Sequence, residues 1–245
     1  MKKNVLKWFF WSTVALVFTV GFPFLPVAAA ETLTIKGSDT MVILSQRWTV
    51  KEFRVAMDGL AVVVSAKNPV SELSLKQLMG VYIGHFNNWK QVGGPDKKIL
   101  RYCRESNSGT YVFFKDNVLK KRDYAADCQT LPGTAAVAEA VTRDKWGIGY
   151  GGIAYFSKRL ELKILAVRKK SGGPAVSPLT PSGEINIKAV KTGKYPIARF
   201  LNVYSLGEPK GLAKKFMDWV MGPEGQTIVG KIGYVPVVSM TSASN

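Results

Sequence analysis

Histidine is all but missing from this chain, with His85 alone among 245 residues. That shortage removes any nucleophilic triad built on an imidazole base. With only two cysteines it also removes the Cys and His sets that hold zinc. His85 lies in the glycine- and asparagine-containing turn Gly84 to Asn88 and reads as an ordinary surface residue. No cluster of Asp and His suited to a catalytic metal is visible, so no metal and no cofactor is expected, and the chain does not read as an enzyme. Acidic residues are scarce too: 17 Asp and Glu stand against 34 Lys and Arg, a formal charge of +17. A basic surface of this kind attracts nucleic acid, anionic membranes or small anions. The basic residues are dispersed, and the doublets Lys169-Lys170 and Lys214-Lys215 read as solvated surface. No nucleic-acid partner is therefore expected. Beyond residue 30 no apolar run is long enough to cross a membrane.

The first thirty residues have the three parts of a secretory signal peptide. Lys2, Lys3 and Lys7 make the basic start, Trp8 to Phe22 is free of charge, and Ala28-Ala29-Ala30 offers small residues for cleavage. The competing reading is a membrane anchor, but the run is about 15 residues where a span needs roughly 20, and Pro23 and Pro26 interrupt its continuation. Export with cleavage and a periplasmic location are expected. In an oxidising compartment Cys103 and Cys128 then read as one disulfide; two buried free thiols are the other reading.

Along residues 31–245 strand and helix signals alternate. Leu33-Thr34-Ile35 reads as a short strand, Met41 to Trp48 as a helix, and Leu60 to Val64 as a buried strand. Ser74 and Gln77 form a capping box ahead of Leu75, Leu78, Met79 and Tyr82. Ile99 to Cys103 is a strand, Thr110 to Leu119 a helix, and Thr134 the cap of an alanine-rich helix to Val141. Gly147 to Tyr150 and Leu162 to Val167 are further strands. Gly172 to Gly183 is a loop, and Gly211 to Met221 is a helix with Leu212, Phe216, Trp219 and Val220 turned inward. Alternation of this kind predicts an α/β fold with a largely parallel sheet.

Two loops share one design, a strand followed by glycine, hydroxyls and a helix start. The first is Lys36-Gly37-Ser38-Asp39-Thr40 and the second is Arg104-Glu105-Ser106-Asn107-Ser108-Gly109-Thr110. Unpaired amides and the helix dipole make such a terminus receptive to anions, and Arg104 adds a permanently charged fork suited to oxyanions. Plain helix capping accounts for the same Ser, Thr and Asp without a ligand.

From Leu33 to Val238 the chain resembles the periplasmic phosphate-binding proteins of phosphate ABC transporters, of the type II periplasmic binding-protein fold. The likeness is carried by Ile35-Lys36-Gly37-Ser38-Asp39-Thr40-Met41, Asn88-Trp89-Lys90-Gln91-Val92-Gly93-Gly94, Arg104 to Thr110, Gly147 to Gly152, Pro209 to Lys214 and Gly222 to Gln226. The resemblance implies two hinged lobes, residues 31–64 with 168–245 and residues 65–167, closing on one inorganic phosphate. Ser38, Asp39 and Thr40 would reach it from the first lobe, and Arg104, Ser108, Gly109 and Thr110 from the second. A membrane permease would be the partner. A carboxylate that accepts the proton of phosphate would separate it from sulfate; Asp39 is the first candidate and Asp58 the second.

The chain departs from the family between Trp48 and Phe53. There the family carries a further phosphate loop and additional strands, whereas here the first helix runs through Thr49 to Glu52 directly into Phe53 and the strand beyond it. The loss would remove one wall of the site and leave a sheet edge and apolar faces uncovered. A chain that binds phosphate weakly or not at all, and acts through its basic surface, is the alternative this departure raises.

Overall fold

The computed structural model describes residues 50–238. Its organising element is a single long strand, β1 (Val50–Ser65). The expectation of helix running through Val50 to Glu52 is corrected here, because these residues already belong to β1 and pair with Leu206, Ser205 and Tyr204. β-branched and aromatic residues at Val50, Phe53 and Val55 suit a pleated ribbon better than a helix.

β1 exchanges its neighbours part-way along. Val50 to Gly59 run antiparallel to β9 (Ala198–Leu206), with a register shift between Arg54 and Ala56. Ala56 and Met57 also pair with β10 (Val235–Pro236). From Leu60 to Val64 the partner is β5 (Gly147–Gly152), and Val63 to Ser65 pair with β6 (Leu162–Ile164). Beyond β5 lie β3 (Leu100–Arg104) and β4 (Gln129–Leu131), both parallel. A second sheet holds β2 (Glu72–Ser74), β7 (Ala166–Arg168) and β8 (Ala175–Val176). The expected largely parallel sheet is thus corrected to a mixed one, since every partner of β1 is antiparallel. Alternating strand and helix signals cannot reveal this, because the direction of a strand leaves no trace in local composition. The single expected strand Leu162 to Val167 divides at buried Leu165 into β6 and β7, and the loop Gly172 to Gly183 contains β8.

The run Leu60 to Val64 is fully buried because it is covered on both faces. Its side chains alternate. Leu60, Val62 and Val64 enter one core with Leu78, Val81 and Tyr82 of α1 (Leu75–Tyr82). Ala61 and Val63 enter another with Val137, Ala138 and Val141 of α3 (Gly133–Arg143). The capping box forms as expected, with Ser74 accepting from the Gln77 amide and Gln77 accepting from the Ser74 amide. The glycines of β5 allow α3 to lie close: a Cβ on Gly149 would meet Val137 Cγ1 at 2.5 Å, and one on Gly151 would strike the Thr134 methyl.

Between β3 and β4 lies α2 (Gly109–Asn117). After β5 come α4 (Ile153–Phe156), α5 (Ile187–Lys191), α6 (Gly211–Met221) and α7 (Pro223–Lys231). The inward face expected for α6 is corrected at Trp219, while Leu212, Phe216 and Val220 are half-buried. Met217 is its buried residue, and Trp219 is exposed with its indole N–H donating to Glu224 at 2.9 Å. Phe200 and Leu206 of β9 are also exposed.

Cys103 and Cys128 form a disulfide, Cα to Cα 5.9 Å, closing a loop of 25 residues. A loop of that length confers about 3 to 4 kcal/mol in the chain-entropy account. We expect the Cys103→Ser/Cys128→Ser protein to unfold roughly 10 °C lower in a thermal scan. An unchanged midpoint would mean that the 103–128 loop is already confined without the bridge.

Candidate functional site

β3 and β5 run parallel, and the chain leaves the carboxyl end of β3 through Arg104 into Glu105-Ser106-Asn107 before Ser108 caps α2. In open α/β sheets this end of the strands is where ligands bind. Ser108 is buried, and its hydroxyl accepts the Thr110 amide at 3.2 Å. The Ser108 amide donates to the Glu105 carbonyl at 2.9 Å, which curls the loop tightly. Thr110 is buried beside it. The structure therefore brings Ser108, Gly109 and Thr110 together at one helix terminus, with Arg104 at the mouth of the loop. Ser38, Asp39 and Thr40 lie outside the described residues, as do the expected signal segment and first helix.

The Arg104 guanidinium turns to the first turn of α3, where Nη1 donates to Thr134 Oγ1 at 2.9 Å. The sequence reads Thr134 as a helix cap. Pro132 occupies that position with no side-chain bond to the helix amides, and the Thr134 hydroxyl is free to receive Arg104 instead. Arg104 Nε is buried without a partner, and among the described residues Arg104 makes no ion pair. A permanent cation meets the positive end of one helix and opens the loop into another, without an ion pair among the described residues. Helix N-termini carry roughly half a positive charge each, so positive potential gathers around Arg104.

The backbone of Arg104 is held from behind. Its N–H points at the Tyr150 hydroxyl at 3.5 Å, which lies 2.8 Å from the Tyr124 hydroxyl, and Tyr124 donates to the Tyr111 carbonyl at 3.2 Å. Burial pushes the Tyr150 hydroxyl up to about 12, and burial likewise raises Tyr124. Both stay neutral and keep their hydrogens.

Two further residues stand at the same helix. Asp58 in β1 is 2 % exposed and accepts from Arg199 of β9. Burial raises its pKa and the Arg199 charge pulls it back. Its Oδ2 is taken by Arg199, while Oδ1 is buried without a hydrogen-bond partner among the described residues. A charge inside the otherwise apolar run Met57 to Val64 is the one signal for this pair in the sequence; nothing near Arg199 announces it. Gly109 and Arg199 both line a cavity of about 750 Å³ shared with Val112, Phe113, Phe200 and Tyr204.

Residues 29–224 match the family described as PBP superfamily domain. The phosphate-binding protein PstS of Pseudomonas aeruginosa is 32% identical over 199 residues, covering 75% of this chain and 59% of that protein. PstS of Staphylococcus aureus is 31% identical over 217 residues, covering 86% of this chain and 63% of the relative. The chain thus spans about three fifths of the length of these curated relatives. Among solved structures, a substrate-binding protein assigned to a phosphate ABC transporter of Clostridium perfringens, with phosphate bound, is 31% identical with a TM-score of 0.63, covering 77% of this chain and 72% of that one. A phosphate transport receptor of Vibrio cholerae, 24% identical with a TM-score of 0.64, shares the fold. The chain belongs to the PBP superfamily, with the type II fold of its phosphate-binding members.

Proposed function

We propose that this chain captures inorganic phosphate at the N-terminus of α2 and passes it to the membrane permease of an ABC transporter. The observation that carries the reading is the Arg104 guanidinium, held at the first turn of α3 by Thr134 and, among the described residues, without an ion pair and with Nε unpaired. The amide of Gly109 and the hydroxyls of Ser108 and Thr110 supply the neutral donors. Ser38, Asp39 and Thr40 would complete the site from the facing loop. The exchange of β1's partners at Leu60 supports a hinge there, between residues 31–64 with 168–245 on one side and residues 65–167 on the other. The basic start, apolar run and small residues of the first thirty positions support export to the periplasm. No helix among the described residues is long and apolar enough to cross a membrane. The role is binding and release, without turnover.

The family loop missing after Trp48 sets the affinity. With one wall of donors gone, calorimetric titration should give a saturable phosphate isotherm with Kd on the order of 0.1 mM, about −5.5 kcal/mol, and weaker binding of sulfate. Absence of saturation up to about 10 mM, well beyond that range, would discard phosphate capture and leave the basic-surface role. Salt-sensitive binding to anionic vesicles in that case would identify the alternative.

A further inference from the structure

Arg199 is distant in sequence from the α2 loop yet makes four hydrogen bonds around it. Its side chain is 18 % exposed. Nε and Nη2 donate to Asp58 Oδ2 at 3.3 and 3.1 Å, Nη1 donates to the Gly109 carbonyl at 3.0 Å, and Nη2 donates to Thr110 Oγ1 at 3.0 Å. The guanidinium carbon also lies 5.6 Å from the centre of the Phe113 ring. One planar group from β9 thus grips the first turn of α2 at two points, and a buried carboxylate from β1 holds it in place.

The polarity of these bonds matters. A guanidinium has donors only, and a threonine hydroxyl has one hydrogen and two lone pairs. Thr110 Oγ1 must therefore accept from Arg199, and its own hydrogen must be directed elsewhere. A threonine inside a helix can donate back to the carbonyl four residues earlier, but Thr110 is the second residue of α2 and has no helical carbonyl behind it. Among the described residues no such bond is formed, and the Thr110 hydroxyl donates to no protein acceptor. Its hydrogen stays available at the helix terminus.

We propose that Arg199 is a positioning residue of the anion site: it fixes the first turn of α2 and sets the Thr110 hydroxyl as a donor toward the bound anion, with Asp58 holding the guanidinium. The inference rests on the reading of that terminus as a phosphate site, and it separates two roles that charge alone would merge. Arg104 is a ligand in that reading. Arg199 acts through Thr110 and Gly109, which is why geometry and not only charge is required at position 199.

The test has a ligand arm and a ligand-free arm. Phosphate titrations would compare the unaltered protein with Arg199→Lys, Arg199→Met, Thr110→Val and the double variant Arg199→Met/Thr110→Val. Arg199→Met and Thr110→Val should each weaken binding about tenfold, as expected for one bond to a charged group. The double variant should lose clearly less than the two single losses combined, because the part of the Arg199 effect that runs through the Thr110 hydroxyl is already gone. Arg199→Lys, which keeps the charge but lacks the fork, should resemble Arg199→Met. Additive losses, or a lysine variant equal to the unaltered protein, would reduce Arg199 to a source of positive potential and overturn the inference. Because Arg199→Met strands a buried carboxylate, Arg199→Met/Asp58→Asn serves as the variant that keeps the fold. In the ligand-free arm, amide hydrogen exchange over residues 105–114 should quicken about tenfold in that variant, with the rest of the chain unchanged. Unaltered exchange there overturns the positioning role whatever the phosphate titration gives. Quickened exchange in a protein that ignores phosphate would uphold the clamp and reject the ligand.

Discussion

Replacing Arg104 by methionine should weaken phosphate binding at least about a hundredfold while leaving the melting temperature unchanged or slightly higher. The two halves of this expectation come from the same geometry. A forked pair of bonds to a dianion, each contributing about 1.5 to 3 kcal/mol, accounts for a factor of a hundred or more at 1.4 kcal/mol per decade. Yet Arg104 contributes little to the fold: among the described residues it has one side-chain bond, to Thr134, and a buried Nε without a partner. Burying an unsatisfied donor costs about 1 to 3 kcal/mol, and methionine removes that cost while keeping most of the volume. Arg104→Lys should fall between, since a point charge satisfies one oxygen where the fork meets two. Calorimetry on the three proteins, with a thermal scan of each, reads both quantities. An Arg104→Met protein that binds phosphate as well as the original would place the anion elsewhere. A sharp loss of stability would make Arg104 a structural residue.

The parts of this site that can be read in the sequence are those fixed by local rules. Ser108 followed by Gly109 and Thr110 is a cap whatever surrounds it, and the structure forms that cap. The five-residue apolar run Leu60 to Val64 signals a strand covered on both faces. The illegible parts depend on long-range partners. Thr134 is an ordinary second residue of a helix until β5, with its glycines, lets α3 approach and meet Arg104. Arg199 and Asp58 are 141 residues apart and come together only because β1 and β9 are antiparallel with Asp58 opposite Arg199 in register. The direction of β1 is illegible for the same reason: Val50 to Ser65 would show the same alternation in a parallel sheet. The extent of α6's exposed face depends on how few elements cover it, which the amphipathic pattern of Gly211 to Met221 does not encode.

The largest loss of stability should come from Arg101, three residues from Arg104 on the same strand. Its side chain is fully buried, and each of its nitrogens has an acceptor. Nε donates to the Val81 carbonyl at 2.5 Å, Nη1 to both Asp127 oxygens at 2.8 Å, and Nη2 to the Phe86 carbonyl at 2.7 Å and Asn87 Oδ1 at 2.5 Å. These bonds tie the end of α1, the turn after it and the residue beside Cys128 to β3. Arg101→Met should cost about 3 to 5 kcal/mol, about 10 °C or more in unfolding midpoint at this size. The Val81 and Phe86 carbonyls would lose this donor, and a buried acceptor left unmet costs about 1 to 3 kcal/mol, whereas Asn87 is exposed and its amide oxygen can turn to water. Asp127→Asn is the informative control. That carboxylate is 52% exposed, so water can replace the arginine, and the loss should be about 1 kcal/mol or less. If the two variants were equally damaging, the ion pair itself would be the source of stability; the inequality expected here assigns it to the buried carbonyls. Side chains on β3 alternate, so Arg101 and Cys103 face α1 while Tyr102 and Arg104 face α3. An Arg101→Met protein held below its lowered midpoint should therefore still bind phosphate with nearly its original affinity. Lost binding in a folded Arg101→Met protein would mean that the two faces of β3 are mechanically coupled and that Arg104 owes its position to the guanidinium behind it.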